Sequence, residues 1–134
     1  MPKILVVDDE MPIRLLLRTA IASPDFVVLE ADCGRRALEI AAREAPLALV
    51  VTDVLMPGID GFELAQQLMH AGQAANFLFM SGYCETHDML KRLDEFPSAA
   101  FLGKPFSIAE FLQVMRKLVA PEASSPMSAH RRPA

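Results

Sequence analysis

LALVVTDVLMPGIDG, residues 47–61, sets an apolar run against a carboxylate and a Pro-Gly turn. Leu47 to Val51 has the valine and leucine content of a strand buried on both faces, yet the run delivers Asp53 to its tip. What an aspartate does at the tip of such a buried strand is the question that decides the reading of this sequence. Pro57 and Gly58 are turn residues, and Gly61 stands near the expected start of the next helix.

Short apolar runs recur on either side. Ile4 to Val7, Phe26 to Glu30, Leu47 to Thr52, Asn76 to Met80 and Ala99 to Leu102 make five strand candidates, of which the first, third and fourth are the most apolar and should be central. Amphipathic segments of about three turns lie between them. Their apolar stripes are Ile13, Leu16, Leu17, Ala20 and Ile21; then Ala37, Leu38, Ala41 and Ala42; then Leu64, Ala65 and Leu68. A weak fourth stripe of Met89, Leu90 and Leu93, within about 85–93, predicts a loosely held element. The clearest stripe is the last, Ile108, Phe111, Leu112, Met115 and Leu118, with Ser107 placed to cap its start. Such alternation predicts the α/β class: a doubly wound parallel sheet with helices on both faces.

One domain over residues 1–120 is expected from the 134-residue length and the 52% hydrophobic content. Residues 121–134 lack periodicity and read as a disordered tail, with Arg131 and Arg132 solvated in it. A formal charge of -4 without a long basic cluster argues against direct nucleic-acid binding. Cys33 and Cys84 have neither the spacing of a zinc site nor that of a disulfide framework. The short apolar stretch after Lys3 is far below a signal-peptide core or a membrane span, so a cytoplasmic protein without membrane contact is expected. His70, His87 and His130 read as surface residues.

In an open parallel sheet, ligands bind outside the carboxyl ends of the strands where the winding direction reverses. Asp53 stands at such an end, and so do Asp8 and Asp9 after the first strand. Each alone is ordinary helix-cap or turn chemistry. If the first and third strands are neighbours, the three converge. Like charges about 4 Å apart repel by roughly 4 kcal/mol at an effective dielectric near 20, so the cluster implies a cation. Oxygen ligands alone favour Mg2+. Ser81, at the end of the fourth strand, and Lys104, after the fifth, add a hydroxyl and a movable positive charge suited to a phosphoryl oxygen.

With Asp8-Asp9, DVLMPGIDG, Ser81, Phe101 and Lys104-Pro105-Phe106 in this order, the sequence from about Lys3 to Val119 resembles the receiver domains of two-component response regulators. LFMSGY and FLGKPF look most like receivers attached to or partnering hybrid histidine kinases. The resemblance implies a flavodoxin-like sheet in the order 2-1-3-4-5 and a cis bond between Lys104 and Pro105. It also implies that Asp53 is the phosphoacceptor, that Asp9, Asp53 and the Leu55 carbonyl hold Mg2+ with Asp8 assisting, and that Ser81 and Lys104 contact the phosphoryl group. Ser81 and Phe101 would form the switch. Leu55 and Tyr83 would flank the site mouth and slow loss of the phosphate.

The expected partners are a histidine kinase or phosphotransfer protein and a downstream protein target, with a phosphorylation-dependent dimer compatible with the family. The chain is then a switch and not a freestanding metabolic enzyme, active at most in self-phosphorylation from small donors and self-dephosphorylation. Two alternatives stay open: a degenerate receiver that binds partners without phosphate, and a magnesium-dependent phosphohydrolase with an aspartyl nucleophile. The second commonly has another aspartate two residues after the first, where this chain has Leu55.

Overall fold

The computed structural model describes residues 1–82 and 87–119. Five strands alternate with five helices: β1 Lys3–Val7, α1 Met11–Ile21, β2 Val27–Ala31, α2 Gly34–Glu44, β3 Leu49–Asp53, α3 Gly61–His70, β4 Asn76–Ser81, α4 His87–Leu93, β5 Ser98–Gly103 and α5 Ile108–Val119. All strand pairs are parallel and the order is β2-β1-β3-β4-β5, so the most apolar strands are indeed central. Every residue of β3 is buried, whereas the edge strands β2 and β5 are mostly half-buried. The winding reverses between β1 and β3, which places the crevice of an open α/β sheet beside Asp8, Asp9 and Asp53.

Because successive strand residues point to opposite faces, each strand supplies two cores. Leu5, Val7, Val50, Phe77 and Phe79 pack with Ala37, Ile40, Leu64 and Leu68 under α2 and α3. Ile4, Val6, Leu49, Val51, Leu78 and Met80 pack with Leu17, Ile21, Phe111 and Met115 under α1 and α5. Fully burying one such Leu, Ile or Phe side chain stabilises by about 1.5–3 kcal/mol. A cluster of Phe62, Phe77, Phe79 and Phe96 fills the first core towards α4, with the Arg92 guanidinium 4.8 Å from the Phe62 ring centre.

Helix starts follow local chemistry. Asp60 Oδ1 accepts from the Glu63 amide at 2.8 Å, and Ser107 Oγ accepts from the Glu110 amide at 3.0 Å, as its position predicts. Cys33 Sγ accepts from the Arg36 amide at 3.5 Å, a use of this thiol that spacing rules do not foresee.

Several sequence expectations need correction. Leu16 does not face the sheet but is 48% exposed, because it turns towards the loop at Lys104–Phe106. The buried stripe of α2 is centred on Ala37, Ile40 and Ala41, which leaves Ala42 outside it. Phe62 belongs to the buried face of α3. The third strand starts at Leu49, where the ladder with β1 begins opposite Ile4, and it includes Asp53; Leu47 makes only an isolated bridge to Ala74. The described part of α4 starts at His87, and residues 83–86 lie outside the described residues, as do Cys84 and the expected tail at 121–134. His70 is exposed. Among the described residues, no helix is long and apolar enough to cross a membrane.

Candidate functional site

The carboxyl ends of β1 and β3 bring three carboxylates together. Asp8, Asp9 and Asp53 offer oxygens that all lie within 4.8 Å of one another. Asp8 is fully buried, Asp53 nearly so, and Asp9 is exposed. The convergence follows from register, since Val7 pairs with Thr52 and each strand then ends in its aspartate. An all-oxygen set of this size, with no histidine or thiolate in it, fits a hard divalent cation.

Lys104, half-buried after β5, reaches across the sheet. Its Nζ lies 3.2 Å from Asp8 Oδ2 and 3.3 Å from Asp53 Oδ2. Its backbone amide donates to the Ser81 carbonyl at 2.7 Å, which ties the tip of β5 to that of β4. The Lys104–Pro105 peptide is cis, and so is Ala45–Pro46. Burial pushes the Asp53 carboxyl above its ordinary value of 3.8; Lys104 works against this and loses to burial acting together with Asp8 and Asp9. For Lys104 burial disfavours the ammonium, but Asp8 and Asp53 outweigh it and raise its pKa from 10.5. Asp53 and Lys104 therefore form an ion pair at the partly buried mouth of the sheet, with Asp8 as the lysine's second partner.

The site is held from outside by polar and steric contacts. Asp8 Oδ1 accepts from the Glu10 amide at 2.8 Å, and its backbone amide donates to the Ala31 carbonyl at 3.2 Å. Thr52 Oγ1 donates to the Asp53 carbonyl at 2.9 Å, while the Val54 amide donates to Met80 at 2.8 Å. Gly61 approaches this turn so closely that a Cβ there would sit 2.3 Å from the Asp53 carbonyl oxygen and 3.0 Å from the Val54 Cα. The sequence marks Gly61 only as a helix start; the clash arises because α3 begins against the peptide of Asp53 itself. Gly58 takes φ +85°, as a turn glycine can.

A cleft of about 310 Å³ opens at these groups, lined by Asp9, Glu10, Asp53, Leu55, Gly82 and Lys104. Leu55 is 47% exposed at its mouth. Ser81 is fully buried at the end of β4, and Phe101, half-buried on β5, pairs in register with Phe79. Tyr83, expected at the mouth, lies outside the described residues. The structure thus gathers Asp8, Asp9, Asp53, Lys104 and Leu55 around one cleft, with Ser81 and Phe101 on the adjoining strands. A participant that periodicity does not reveal is Arg14, whose guanidinium donates to the Asp8 carbonyl at 2.8 Å. It sits beside an apolar helix stripe, and nothing in its spacing points to a strand tip.

Residues 4–116 match the family described as response regulator receiver domain. Sporulation initiation phosphotransferase F of Bacillus subtilis is 32% identical over 86% of this chain and 91% of its own length. Response regulator MprA of Mycolicibacterium vanbaalenii is 36% identical over 87% of this chain; the chain spans only 50% of that relative. Among solved structures, response regulator protein TrrA of Thermotoga maritima, in complex with Mg2+ and BeF, superposes with a TM-score of 0.74 at 28% identity, over 88% of this chain and 99% of its own.

Proposed function

We propose, from the premise that this chain belongs to the response regulator receiver domain family, that its cleft accepts a phosphoryl group on Asp53. The protein is a receiver of two-component signalling, a phosphorylation-dependent switch. The observation that carries the assignment to this residue is the trio of carboxylates within 4.8 Å, two of them bridged by the Lys104 ammonium. Such a cluster is poor structural chemistry and good phosphoryl-transfer chemistry, because that reaction depends mainly on positioning and neutralised charge.

An Asp53 oxygen attacks the phosphorus of a phosphohistidine. The new O–P bond forms as the P–N bond breaks, and the departing imidazole takes up a proton. Lys104 turns from Asp53 towards a phosphoryl oxygen and keeps Asp8 as its second partner. Ser81 contacts another phosphoryl oxygen. Asp9 and Asp53, the Leu55 carbonyl and, in support, Asp8 would hold Mg2+, which when bound supplies positive charge to the phosphoryl oxygens.

The donor is a histidine kinase or phosphotransfer protein. An apolar groove of about 390 Å³, lined by Ile13, Leu16, Leu17, Pro105 and Phe106, adjoins Lys104 and supports docking of that partner beside the acceptor. Output runs from Ser81 through Phe101 to the face of α4, β5 and α5, where a downstream protein or a second copy would bind. A cytoplasmic location goes with this reading, and slow self-dephosphorylation is its enzymatic limit. Leu55 stands where a phosphohydrolase of this chemistry would have its second acid, which disfavours that alternative. Retention of Asp8, Asp9, Asp53 and Lys104 in one cleft disfavours a phosphate-independent binding module.

Incubation with Mg2+ and acetyl phosphate, followed by intact mass measurement, should add one phosphoryl group. Asp53→Asn should abolish it. A phosphoryl mass on the substituted protein would place the chemistry on another residue.

A further inference from the structure

Asp8 makes a polar contact through each of its groups, and one of them leads away from the cleft. Its carbonyl accepts from Arg14 Nη1 at 2.8 Å, and the same guanidinium lies 3.4 Å from Glu30 Oε1 on the edge strand β2. Arg14 is only 16% exposed in its side chain, and Glu30 is shared with Arg18 Nη1 at 3.3 Å. A planar guanidinium can serve a carbonyl and a carboxylate at once in a fixed fork, which a lysine cannot. The contact falls on the peptide joining Asp8 to Asp9.

We propose that Arg14, braced by Glu30, is a positioning residue that fixes the Asp8–Asp9 peptide and so aims the Asp9 carboxylate into the metal-holding trio. This role rests on the reading of the trio as a magnesium site. Asp9 is exposed, so the direction of its side chain depends chiefly on its backbone. That backbone is anchored on one side by the Asp8 amide on Ala31 and on the other by the Glu10 amide on Asp8 Oδ1. Arg14 holds the carbonyl between these two anchors. Glu30 matters in a second way. Its ion pair with Arg14 at 3.4 Å also offsets the guanidinium's charge near the carboxylates.

The sign of the effect separates this role from simple electrostatics. Removing a positive charge near a cation site should tighten Mg2+ binding if charge alone mattered. Loss of a positioning contact should weaken it, by about 10-fold, the lower end for groups that orient metal ligands. Mg2+ alone would be titrated into the full-length wild type, Arg14→Gln, Arg14→Lys and Glu30→Gln, with amide chemical shifts of Asp8, Asp9, Glu10 and Asp53 as the readout. Arg18→Gln, which touches Glu30 but not Asp8, is the control.

All three test variants should bind Mg2+ about 10-fold more weakly, with Asp9 and Glu10 amides already shifted before metal is added, while Arg18→Gln stays within twofold. Unchanged or tighter binding in Arg14→Gln overturns the proposal, and so does an equal loss in Arg18→Gln. Should Arg14→Gln fail to fold, Arg14→Lys and Glu30→Gln decide by the same criterion. A wild type with no Mg2+-dependent shifts at these amides would instead overturn the magnesium reading itself, and the positioning role with it.

Discussion

Replacing Asp53 by Asn should make the metal-free protein more stable at neutral pH, although it removes an ion pair. At an effective dielectric near 20, Asp8 at up to 4.8 Å repels the Asp53 carboxylate by about 3.5 kcal/mol and Lys104 at 3.3 Å attracts it by about 5 kcal/mol. Burial, and a solvent-screened share from exposed Asp9, add to the unfavourable side. The direction of the sum is given by the carboxyl's raised pKa: burial, acting with Asp8 and Asp9, outweighs the attraction of Lys104.

The pH dependence has a definite sign. With its folded pKa above 3.8, Asp53 binds a proton more tightly in the native state than in the unfolded one, so the wild type loses stability as pH rises through that window. Asn has no such loss. The advantage of Asp53→Asn should therefore be full at pH 7 and shrink as pH falls towards 3.8. Mg2+ should reverse the order, since a ligand at 100-fold its Kd stabilises by about 2.7 kcal/mol and the variant lacks one carboxylate for it. Urea unfolding across pH, with and without Mg2+, measures each part. A variant less stable than wild type at pH 7 without metal would refute the reasoning, as would a difference that does not change with pH.

Lys104→Gln should abolish phosphorylation by acetyl phosphate while leaving Mg2+ binding measurable by calorimetry; it should also remove a loss of stability that the wild type shows as pH rises above 10.5, because the lysine's raised folded pKa stabilises only while the ammonium persists. Gly61→Ala should destabilise by about 1–3 kcal/mol in urea unfolding through overpacking, and should shift the Asp53 and Val54 amides more than those of β1. Leu55→Asn should shorten the lifetime of the phosphorylated protein after donor removal, by opening the cleft mouth to water; an equal lifetime would exclude shielding.

The sheet was legible because its central strands are apolar without interruption, and the order of β-α units leaves few ways to wind them. Asp8, Asp9, Asp53 and Lys104 were legible as a group because each directly follows or ends a strand run, and their convergence is then a matter of strand register. Arg14 and Gly61 were not legible in these roles, for two reasons. Arg14 acts through a carbonyl six positions back, and a carbonyl has no letter in a sequence. Gly61 is needed for the absence of an atom near Asp53, which no spacing rule reports. Leu16 misled because helical periodicity locates a stripe but not its lateral edge, and Leu16 lies beside the buried Leu17 on the side facing the Lys104–Phe106 loop.

The separation of the interior into two cores bears on how such a chain can change over generations. Val50 and Val51 are adjacent in sequence yet belong to opposite faces, while Val50 and Phe77 are registered partners in one. A volume lost on one face is refilled only by neighbours on that face, because the strand backbone between them has no slack to lend. Compensating substitutions should thus pair Val50 with Phe77 and Val51 with Leu78, and chain neighbours should drift independently. The lineage of this fold would carry two nearly separate records of accommodation, written on alternate residues of the same strands.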